Sequence, residues 1–318
     1  MKSHPKIYIA GHRGMVGSAI KRRLEQEGTQ NIIFRSSSEL DLRDQQSVEL
    51  FFEKEQPDIV IDAAARVGGI MANNDYPWQF LYENIQMQNN IISSSHKYDV
   101  NKLIFLGSSC IYPKHADQPM SEDQLLTGPL EPTNQWYAIA KISGVKMVEA
   151  LRKQYNRDYI SLMPTNLYGP NDNFDLKTSH VLPAMIRKFH EAKEKGHVPV
   201  TLWGTGSPRR EFLHVDDVAE AVMFSLTNDL KYGLYNVGTG KDIAIKELAL
   251  LIQNIVGHEG EIHWDSSKPD GTPRKLMDVS RFEDEGWTYN IELENGIRAT
   301  YEWFLENLGE IKEREIES

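Results

Sequence analysis

The chain has 318 residues, of which 40% are hydrophobic and 25% charged, a composition typical of water-soluble globular proteins. Its net charge of −11 argues against a nucleic-acid partner, because binding to phosphates needs a basic face. No run approaches the roughly 20 apolar residues of a membrane span, so we expect no membrane partner. The single cysteine, Cys110, excludes an intramolecular disulfide and a cysteine-based zinc cluster. We therefore expect a cytoplasmic protein without a metal site.

The first half of the chain alternates strand-like and helix-like segments. The strand-like runs are KIYIA, NIIFR, DIVIDAAA, KLIFLGSS and YISLMPTN. Between them the pattern predicts helices from Met15, from Asp44, over 76–98 and over 136–154. Short β-branched runs separated by helical periods indicate a parallel sheet with helices on both faces. We therefore predict an α/β fold with a Rossmann-like, doubly wound parallel sheet.

The second half is less regular after the segment LYGP. Its predicted elements are helices near 180–192, 215–227 and 244–255, the strand-like runs VTLWG and LYNVGTG, and an amphipathic C-terminal helix ending near Leu308. The charged tail GEIKEREIES is predicted to be a solvated end. We expect an NADP-binding domain over 1–170. A segment near 211–240 is a candidate for an additional part of this domain. A smaller α/β substrate domain is expected over 171–318.

Three glycines, Gly11, Gly14 and Gly17, lie where the first strand turns into the first helix. Glycine at such a junction lets the backbone approach a pyrophosphate bound to the helix N-terminal amides. A simple tight turn would use the same residues, but the strand before and the helix after favour a dinucleotide site. The G-x-x-G-x-x-G spacing is similar to that of the short-chain dehydrogenase/reductase group.

The choice of cofactor is decided at the end of the second strand, which reads Phe34-Arg35-Ser36-Ser37-Ser38. An NAD enzyme places an acid there, whereas an NADP enzyme places positive charge on the 2′-phosphate. The segment has no carboxylate, and Arg13 lies in the glycine loop, so both arginines are candidates for the phosphate. We predict NADP(H), with Arg13 as the main contact, since Arg35 has the alternative of facing solvent.

Tyr137 and Lys141 are four residues apart on a predicted helix, so their side chains project from one face. A lysine beside a phenol favours the phenolate and lowers its pKa, which makes tyrosine a usable proton donor or acceptor. Such a pair also occurs on solvated helix faces. Ser108, at the carboxyl end of the fourth strand, adds a hydroxyl where an open parallel sheet places its ligand crevice. The three residues in this order are typical of short-chain dehydrogenases.

Cys110 follows Ser108 by two residues and is placed on the loop over that crevice. From the residues alone, two interpretations stay open. A free cysteine is often a small buried hydrophobic residue, whereas a thiol at the crevice would meet substrate.

Eight segments carry a more specific resemblance. They are GHRGMVGSAI, AARVGGIMANN, FLGSSCIYPK, EPTNQWYAIAK, MPTNLYGPNDNF, REFLHVDD, NVGTG and SKPDGTPRK. Together they resemble the GDP-L-fucose synthase family, from the first strand to the C-terminal helix. The resemblance implies an extended short-chain dehydrogenase fold, NADPH, a GDP-sugar substrate and a homodimer whose helices near 76–98 and 136–154 pack across a two-fold axis. It implies conversion of GDP-4-keto-6-deoxy-D-mannose to GDP-L-fucose, by 3,5-epimerisation and then 4-keto reduction.

The resemblance also implies roles for matching residues. Cys110 and His180 would be the acid/base pair of the epimerisation, and Ser108 and Tyr137 would polarise the keto oxygen. Lys141 would hold the nicotinamide ribose. The cofactor contacts are Gly11, His12, Arg13, Gly14, Met15, Val16, Gly17, Arg35, Ser37, Asp41, Leu42, Ala63, Ala65, Leu106, Gly107, Ser108, Tyr137, Lys141, Pro164, Thr165, Asn166, Leu167 and His180. The substrate contacts are Lys188, Trp203, Arg210 and Asp270.

Some alternatives and departures remain. An alternative interpretation of His180 is a surface residue at the start of a helix. An alternative interpretation of Trp203 is an ordinary core residue. Trp136 stands where we expect a smaller residue or proline in this family. Ser37 stands at a position where we expect a second basic residue in relatives. Rival functions are an NDP-sugar 4-epimerase or 4-reductase of the same fold, and a non-catalytic dinucleotide sensor. The thiol argues against the 4-epimerase, and the intact catalytic set argues against the sensor.

Overall fold

The computed structural model describes residues 4–176, 178–268 and 270–311. Its strands are β1 (Ile7–Ala10), β2 (Ile32–Ile33), β3 (Ile59–Asp62), β4 (Lys102–Leu106), β5 (Asp158–Pro164), β6 (Asn166–Tyr168), β7 (Val200–Trp203), β8 (Arg209–His214), β9 (Leu234–Val237), β10 (Asp242–Ala244), β11 (Ile262–Asp265) and β12 (Arg274–Lys275). Its helices are α1 (Met15–Gln26), α2 (Gln45–Glu55), α3 (Ile70–Asp75), α4 (Pro77–Lys97), α5 (Gln135–Tyr155), α6 (Val181–Glu194), α7 (Val215–Thr227), α8 (Ile245–Val256), α9 (Ser280–Glu283) and α10 (Leu293–Glu306). Two short 3₁₀ helices span Ser109–Ile111 and Glu122–Gln124.

Six strands form a parallel sheet in the order β2-β1-β3-β4-β5-β9. The chain leaves β1 towards β2 on one side and returns to β3 on the other. The carboxyl ends of β1 and β3 therefore form the topological switch point at which open α/β sheets bind ligands. The predicted doubly wound parallel sheet is confirmed.

Strand alternation divides the core between the two faces of this sheet. Ile7 and Ile9 of β1 pack on the side covered by α1 and α7, whereas Tyr8 and Ala10 pack on the side covered by α2, α4 and α5. Both faces are apolar because the helices cover both. The carboxyl edge of the sheet is where the loops meet.

The remaining elements form a second core. Strand β8 pairs with β6, β10 and β12, β7 pairs with β11, and helices α6, α8 and α10 pack around the buried Phe189, Ile252 and Phe304. Strands β8, β10, β11 and β12 were not predicted, because β10, β11 and β12 are too short to show hydrophobic alternation and β8 begins with three charged residues. Helix α7 and strand β9 return to the first sheet.

The helices predicted over 76–98 and 136–154 are found, with ends that differ by one residue. The predicted helix over 76–98 is preceded by α3, and Pro77 opens α4 at its first position. Trp136 lies in the first turn of α5, which begins normally at Gln135. The solvated C-terminal end was predicted for residues 309–318, of which 312–318 lie outside the described residues. Within the described ranges, no helix is both long enough and apolar enough to cross a membrane.

Candidate active site

The glycine loop between β1 and α1 is a cradle without side chains. Gly11 has a φ of +79°, and a Cβ there would lie 2.7 Å from the carbonyl oxygen of Ala63 at the end of β3. A Cβ on Gly17 would lie 2.1 Å from the carbonyl oxygen of Gly11. Gly14 caps α1, whose first turn contains no acidic residue. The amides of that turn thus suit an anionic pyrophosphate, so the loop fits a dinucleotide.

Arg13 extends from this loop and is exposed. It lines a cavity of about 430 Å³ together with His12, Lys21, Arg22 and Phe34. The Lys21 ammonium lies 4.7 Å from the centre of the Phe34 ring at the end of the second strand region. The sequence analysis missed Lys21, which comes seven residues after Gly14 and is brought to the loop by the helix. Glu25 also lines the cavity, so its three cations face one carboxylate, and the net positive charge suits a phosphate.

Arg35 is turned the other way. It lies on the side of α2, where its guanidinium is 2.8 Å from Glu55 Oε1 and 5.4 Å from the centre of the Phe51 ring. Ser37 is exposed. The structure therefore brings Arg13, but not Arg35, to this cavity.

A carboxylate lies closer to this region than the sequence analysis allowed. Glu39 accepts hydrogen bonds of 2.7 Å from both the backbone N–H and the hydroxyl of Ser36. These bonds lower the pKa of Glu39, and Arg35 and Arg13 add a smaller effect. Residues 34–38 contain no carboxylate, but the loop folds back so that the carboxylate of Glu39 binds Ser36 within this segment.

Ser108 and Cys110 lie directly after β4. Ser108 caps the short helix Ser109–Ile111, and the backbone N–H of Cys110 donates to its hydroxyl at 3.3 Å. Cys110 is 7% exposed. Burial raises the pKa of its thiol, while Lys275, Ser108 and Lys141 act in the opposite direction. The thiol is therefore protonated at neutral pH and still faces cationic groups.

Lys275 is another residue that the sequence analysis missed. It lies on β12, and its interaction with Cys110 partly offsets the burial that lowers its pKa. The neighbouring Glu211 holds this region in place, since its carboxylate accepts backbone N–H groups of Thr239, Gly240 and Met277. Only the tertiary pairing of β12 with β8 brings Lys275 to the crevice.

Tyr137 and Lys141 project from the first two turns of α5 towards the same crevice. The Lys141 ammonium donates to the carbonyl of Leu106 at 2.8 Å, and it lies 5.8 Å from the centre of the Tyr137 ring. The expected lowering of the phenol pKa is not found. Burial raises the pKa of Tyr137, and Cys110 and Asp62 raise it further. Burial also lowers the pKa of Lys141, which weakens its effect on the phenol.

His180 precedes α6 and caps it through its backbone. The loop that carries it contacts the segment between β3 and α3, because the N–H of Gly69 donates to the carbonyl of Thr178 at 3.1 Å. His180 is solvent-accessible, yet nearby protein atoms lower its pKa by desolvation. A neutral imidazole can accept a proton, as the acid/base role implied by the resemblance requires.

The other predicted cofactor contacts follow the ends of the parallel strands. Ala63 and Ala65 follow β3 and Gly107 follows β4, while the segment 164–167 covers the end of β5 and the start of β6. Asn166 is held by a 2.7 Å hydrogen bond from its amide to the carbonyl of Glu211. These residues line one edge of the sheet.

Asp41 and Leu42 lie beyond β2, where we expect the adenine. The carboxylate of Asp41 is bound by Arg43 at 2.9 Å, which lowers its pKa. The carbonyl of Leu42 accepts a 2.9 Å hydrogen bond from Asn90 of α4. Both residues are therefore fixed by neighbours before any ligand binds.

The four predicted substrate contacts share a second face. Trp203, at the end of β7, is 61% exposed, so it is not core. Asp270 accepts hydrogen bonds from the backbone and hydroxyl of Thr205 and closes the loop beside Trp203. Arg210 interacts electrostatically with Asp270, and Lys188 donates to the carbonyl of Thr201 at 3.2 Å. Two cations, one aromatic ring and one carboxylate thus surround an open surface.

This combination of glycine loop, strand-end hydroxyl and Tyr137–Lys141 agrees with the comparisons to known proteins. Residues 7–238 match the model of the NAD dependent epimerase/dehydratase family. The chain belongs to this family. It is 56% identical to the putative GDP-L-fucose synthase 2 of Arabidopsis thaliana over 313 residues, which cover 98% of this chain and 95% of the relative. It is 54% identical to the GDP-L-fucose synthase of Escherichia coli (strain K12), over 96% of this chain and 98% of the relative.

A solved structure extends the likeness to three dimensions. The GDP-L-fucose synthetase of Naegleria fowleri bound to NADP is 28% identical, with a TM-score of 0.88 and coverage of 97% of this chain and 96% of that one. The resemblance to GDP-L-fucose synthases predicted from the sequence is confirmed.

Proposed function

We propose that this chain converts GDP-4-keto-6-deoxy-D-mannose to GDP-L-fucose, by epimerisation at carbons 3 and 5 and then reduction at carbon 4. The observation that carries the proposal is the position of Cys110, two residues from Ser108 and in the same crevice as Tyr137 and Lys141. A thiol beside two hydroxyl donors combines proton transfer at carbon with activation of a carbonyl. An enzyme that only moves a hydride has no need of the thiol.

The first stage is enolisation. The protons on carbons 3 and 5 flank the 4-keto group, so removing either one gives an enolate whose charge lies on the keto oxygen. Hydrogen bonds from Ser108 and Tyr137 to that oxygen stabilise the charge. With its lowered pKa, the imidazole of His180 is a neutral proton acceptor, and the protonated Cys110 is a donor. A proton removed from one side by His180 and returned from the other by Cys110 inverts the carbon. A proton passed from the imidazolium back to the thiolate through solvent restores both groups before the second carbon reacts.

The second stage is reduction of the 4-keto group. When bound, NADPH supplies the hydride that adds to carbon 4. The residues that would hold it are the glycine loop, Arg13 at the 2′-phosphate and Lys141 at the nicotinamide ribose. Tyr137 donates its phenolic proton to the developing alkoxide, and Lys141 balances the phenolate that remains. The raised pKa of Tyr137 means that the phenol starts in the donor form.

The direct test is an assay with the purified chain, NADPH and GDP-4-keto-6-deoxy-D-mannose. We expect absorbance at 340 nm to fall and GDP-L-fucose to be the product. GDP-mannose, which has no keto group, is the control and should leave NADPH unchanged. A product that retains the configuration at carbons 3 and 5 would instead indicate a 4-reductase. Conversion of the GDP-mannose control to its carbon-4 epimer without net NADPH consumption would indicate a 4-epimerase.

We also propose that the chain is a homodimer that packs through α4 and α5. The exposed rings of Trp78 and Tyr82 stack at 4.9 Å on α4, and the exposed Trp136 and Ile139 lie on α5. Such an apolar patch is typical of an interface. Trp78→Glu should give a monomer by light scattering, whereas Leu250→Glu, an exposed position on α8, should leave the mass unchanged. A monomer mass for the wild type would contradict the dimer, and a dimer mass for Trp78→Glu would contradict the interface.

The location that we propose is the cytoplasm. A single cysteine and a function that needs reduced NADPH both suit a reducing compartment. Fluorescence microscopy of a tagged chain together with cell fractionation would test this.

A further inference from the structure

Asp62 is a carboxylate in a place where the sheet is otherwise apolar. It is the last residue of β3, and its register partners are Ala10 on β1 and Phe105 on β4. Residues in register on neighbouring parallel strands point to the same face of the sheet. Asp62 therefore shares the face of Phe105, which is the side covered by α5. Its exposed fraction is 0%.

One oxygen of this carboxylate has no partner. Oδ1 accepts a 3.2 Å hydrogen bond from the backbone N–H of Ala64, whereas Oδ2 is buried and has no hydrogen-bond donor in the described part of the chain. Burying a charged or polar group without a partner is costly. Burial raises the pKa of Asp62 to about 6, so the group is still mostly ionised at neutral pH. Neither packing nor hydrogen bonding among the described residues explains an aspartate at this position.

The adjacent cation lacks a carboxylate partner at ion-pair distance. The Lys141 ammonium lies 4.7 Å from the centre of the Phe105 ring and donates to the Leu106 carbonyl, next to the register partner of Asp62. In the described ranges, no acid forms an ion pair with it. Lys141 is buried, which lowers its pKa, and the charge of Asp62 is the largest effect in the opposite direction.

The groups that face Lys141 come from several elements. Asp62 is on β3, Cys110 on the short helix after β4, and Tyr137 on α5 itself, while Lys275 on β12 faces Cys110. At neutral pH the thiol and the phenol are uncharged, because burial raises both pKa values. Among these groups, Asp62 is the carboxylate and the source of negative charge.

We propose that Asp62 is a positioning residue that keeps the Lys141 ammonium charged in the dry crevice and, through Lys141, sets the proton-donor strength of Tyr137. The role of Tyr137 rests on the proposed function, whereas the coupling of Asp62 to Lys141 does not. The carboxylate never touches substrate, since it is buried beneath the strand ends. It acts across the crevice floor, where low polarity makes a charge effective over a longer distance than in water.

A double-mutant cycle tests the coupling without using activity. The single variants are Asp62→Asn and Lys141→Met, and the melting temperatures of both and of the double variant are measured at pH 8. Asp62→Asn should raise the melting temperature, because it removes a buried charge. The gain should be clearly larger when Lys141→Met has removed the counter-charge. Additive effects within error would overturn the proposal.

Asp172→Asn is the matched control for this cycle. Asp172 is another buried carboxylate with a raised pKa and an unpartnered Oδ2, but Lys141 does not contribute to its pKa. Its effect should add to that of Lys141→Met. Asp62→Leu, which removes all polar atoms, is the second variant and should reproduce the non-additivity of Asp62→Asn.

The functional consequence is a shift in pH dependence. Without Asp62 the pKa of Lys141 falls, so the alkaline limb of kcat should move to lower pH in Asp62→Asn, by about one pH unit. The KM values should change less than kcat at pH 8. A limb that stays in place or moves upwards would contradict the proposal. A wild-type chain without turnover would instead contradict the proposed function and leave the double-mutant cycle to decide the coupling.

Discussion

The crevice at the ends of β3 and β4 differs from the rim around it, which we define by Arg13, Trp203 and Asp270. Burial favours the neutral forms of the crevice groups, whereas the rim groups are exposed or keep their charge. In the crevice, burial shifts the pKa values of Cys110, Tyr137 and Lys141 towards their neutral forms. At the rim, Arg13 and Trp203 are exposed, and the carboxylate of Asp270 keeps its charge through hydrogen bonds from Thr205. The difference suggests a division of work: crevice residues control proton transfer, and rim residues control binding. Variants of the two regions should therefore change different kinetic constants.

The largest effect is expected for Tyr137→Phe in the crevice. Loss of the phenolic proton donor should lower kcat for keto reduction by about a hundredfold to ten-thousandfold, as for general acids. NADPH binding, followed by fluorescence titration, should change little, because the ring remains in place. A variant with most of its turnover intact would remove Tyr137 from the mechanism.

Cys110→Ser should separate the two reactions. A serine hydroxyl is far too weakly acidic to replace the thiol, so exchange of sugar carbon protons with deuterated water should fall by at least about a hundredfold. Reduction of the unepimerised keto-sugar should continue through Ser108, Tyr137 and Lys141. Mass spectrometry and product stereochemistry measure both outcomes. Wild-type deuterium incorporation, or unfolding in place of lost exchange, would return Cys110 to a packing role.

At the rim, Arg13→Ala should raise the KM for NADPH far more than the KM for NADH. A charge-assisted hydrogen bond contributes about 1.5–3 kcal/mol, or about tenfold to a hundredfold in affinity. Arg35→Ala is the comparison variant and should have a smaller effect, because Arg35 is already paired with Glu55. Equal losses with both cofactors would show that Arg13 does not read the 2′-phosphate.

Arg210→Ala should raise the KM for the GDP-sugar by about tenfold while kcat stays close to that of the wild type. The matched control is Arg274→Ala, since Arg274 lies on the adjacent β12 but is ion-paired with Asp242. Steady-state kinetics at saturating NADPH distinguish the two variants. A fall in kcat with unchanged KM would place Arg210 with the crevice group.

The smallest effect on activity, with a clear effect on stability, is expected for Asp172→Asn. Burial raises the pKa of Asp172 from 3.8 to about 7. The folded state therefore binds more protons than the unfolded state between these values, and stability falls as the pH rises through them. The amide should stabilise the fold by up to about 4 kcal/mol at pH 8 and give no gain below pH 4. Urea unfolding at both pH values measures this, and a pH-independent change would contradict the buried-charge explanation.

Much of the site could be predicted because its signals are local. The glycine loop, the Tyr137–Lys141 spacing and the strand-end Ser108 each depend on residues within a few positions of one another, where helix and strand periods apply. The fold class followed from the same alternation. The short charged strands β10 and β12 could not be predicted, since their pairing with β8 depends on residues more than 25 positions away.

The sequence by itself determined which chemical groups are present and which of them lie near each other along the chain. The tertiary structure alone decided which groups are buried together. Crossovers of the parallel sheet bring Asp62, Lys141 and Cys110 to one crevice, and β-strand pairing brings Lys275 there. Arg35 turns to Glu55, and Glu39 folds back onto Ser36. The physical reason is that pKa values depend on desolvation and on charges close in space, and neither is a function of sequence distance.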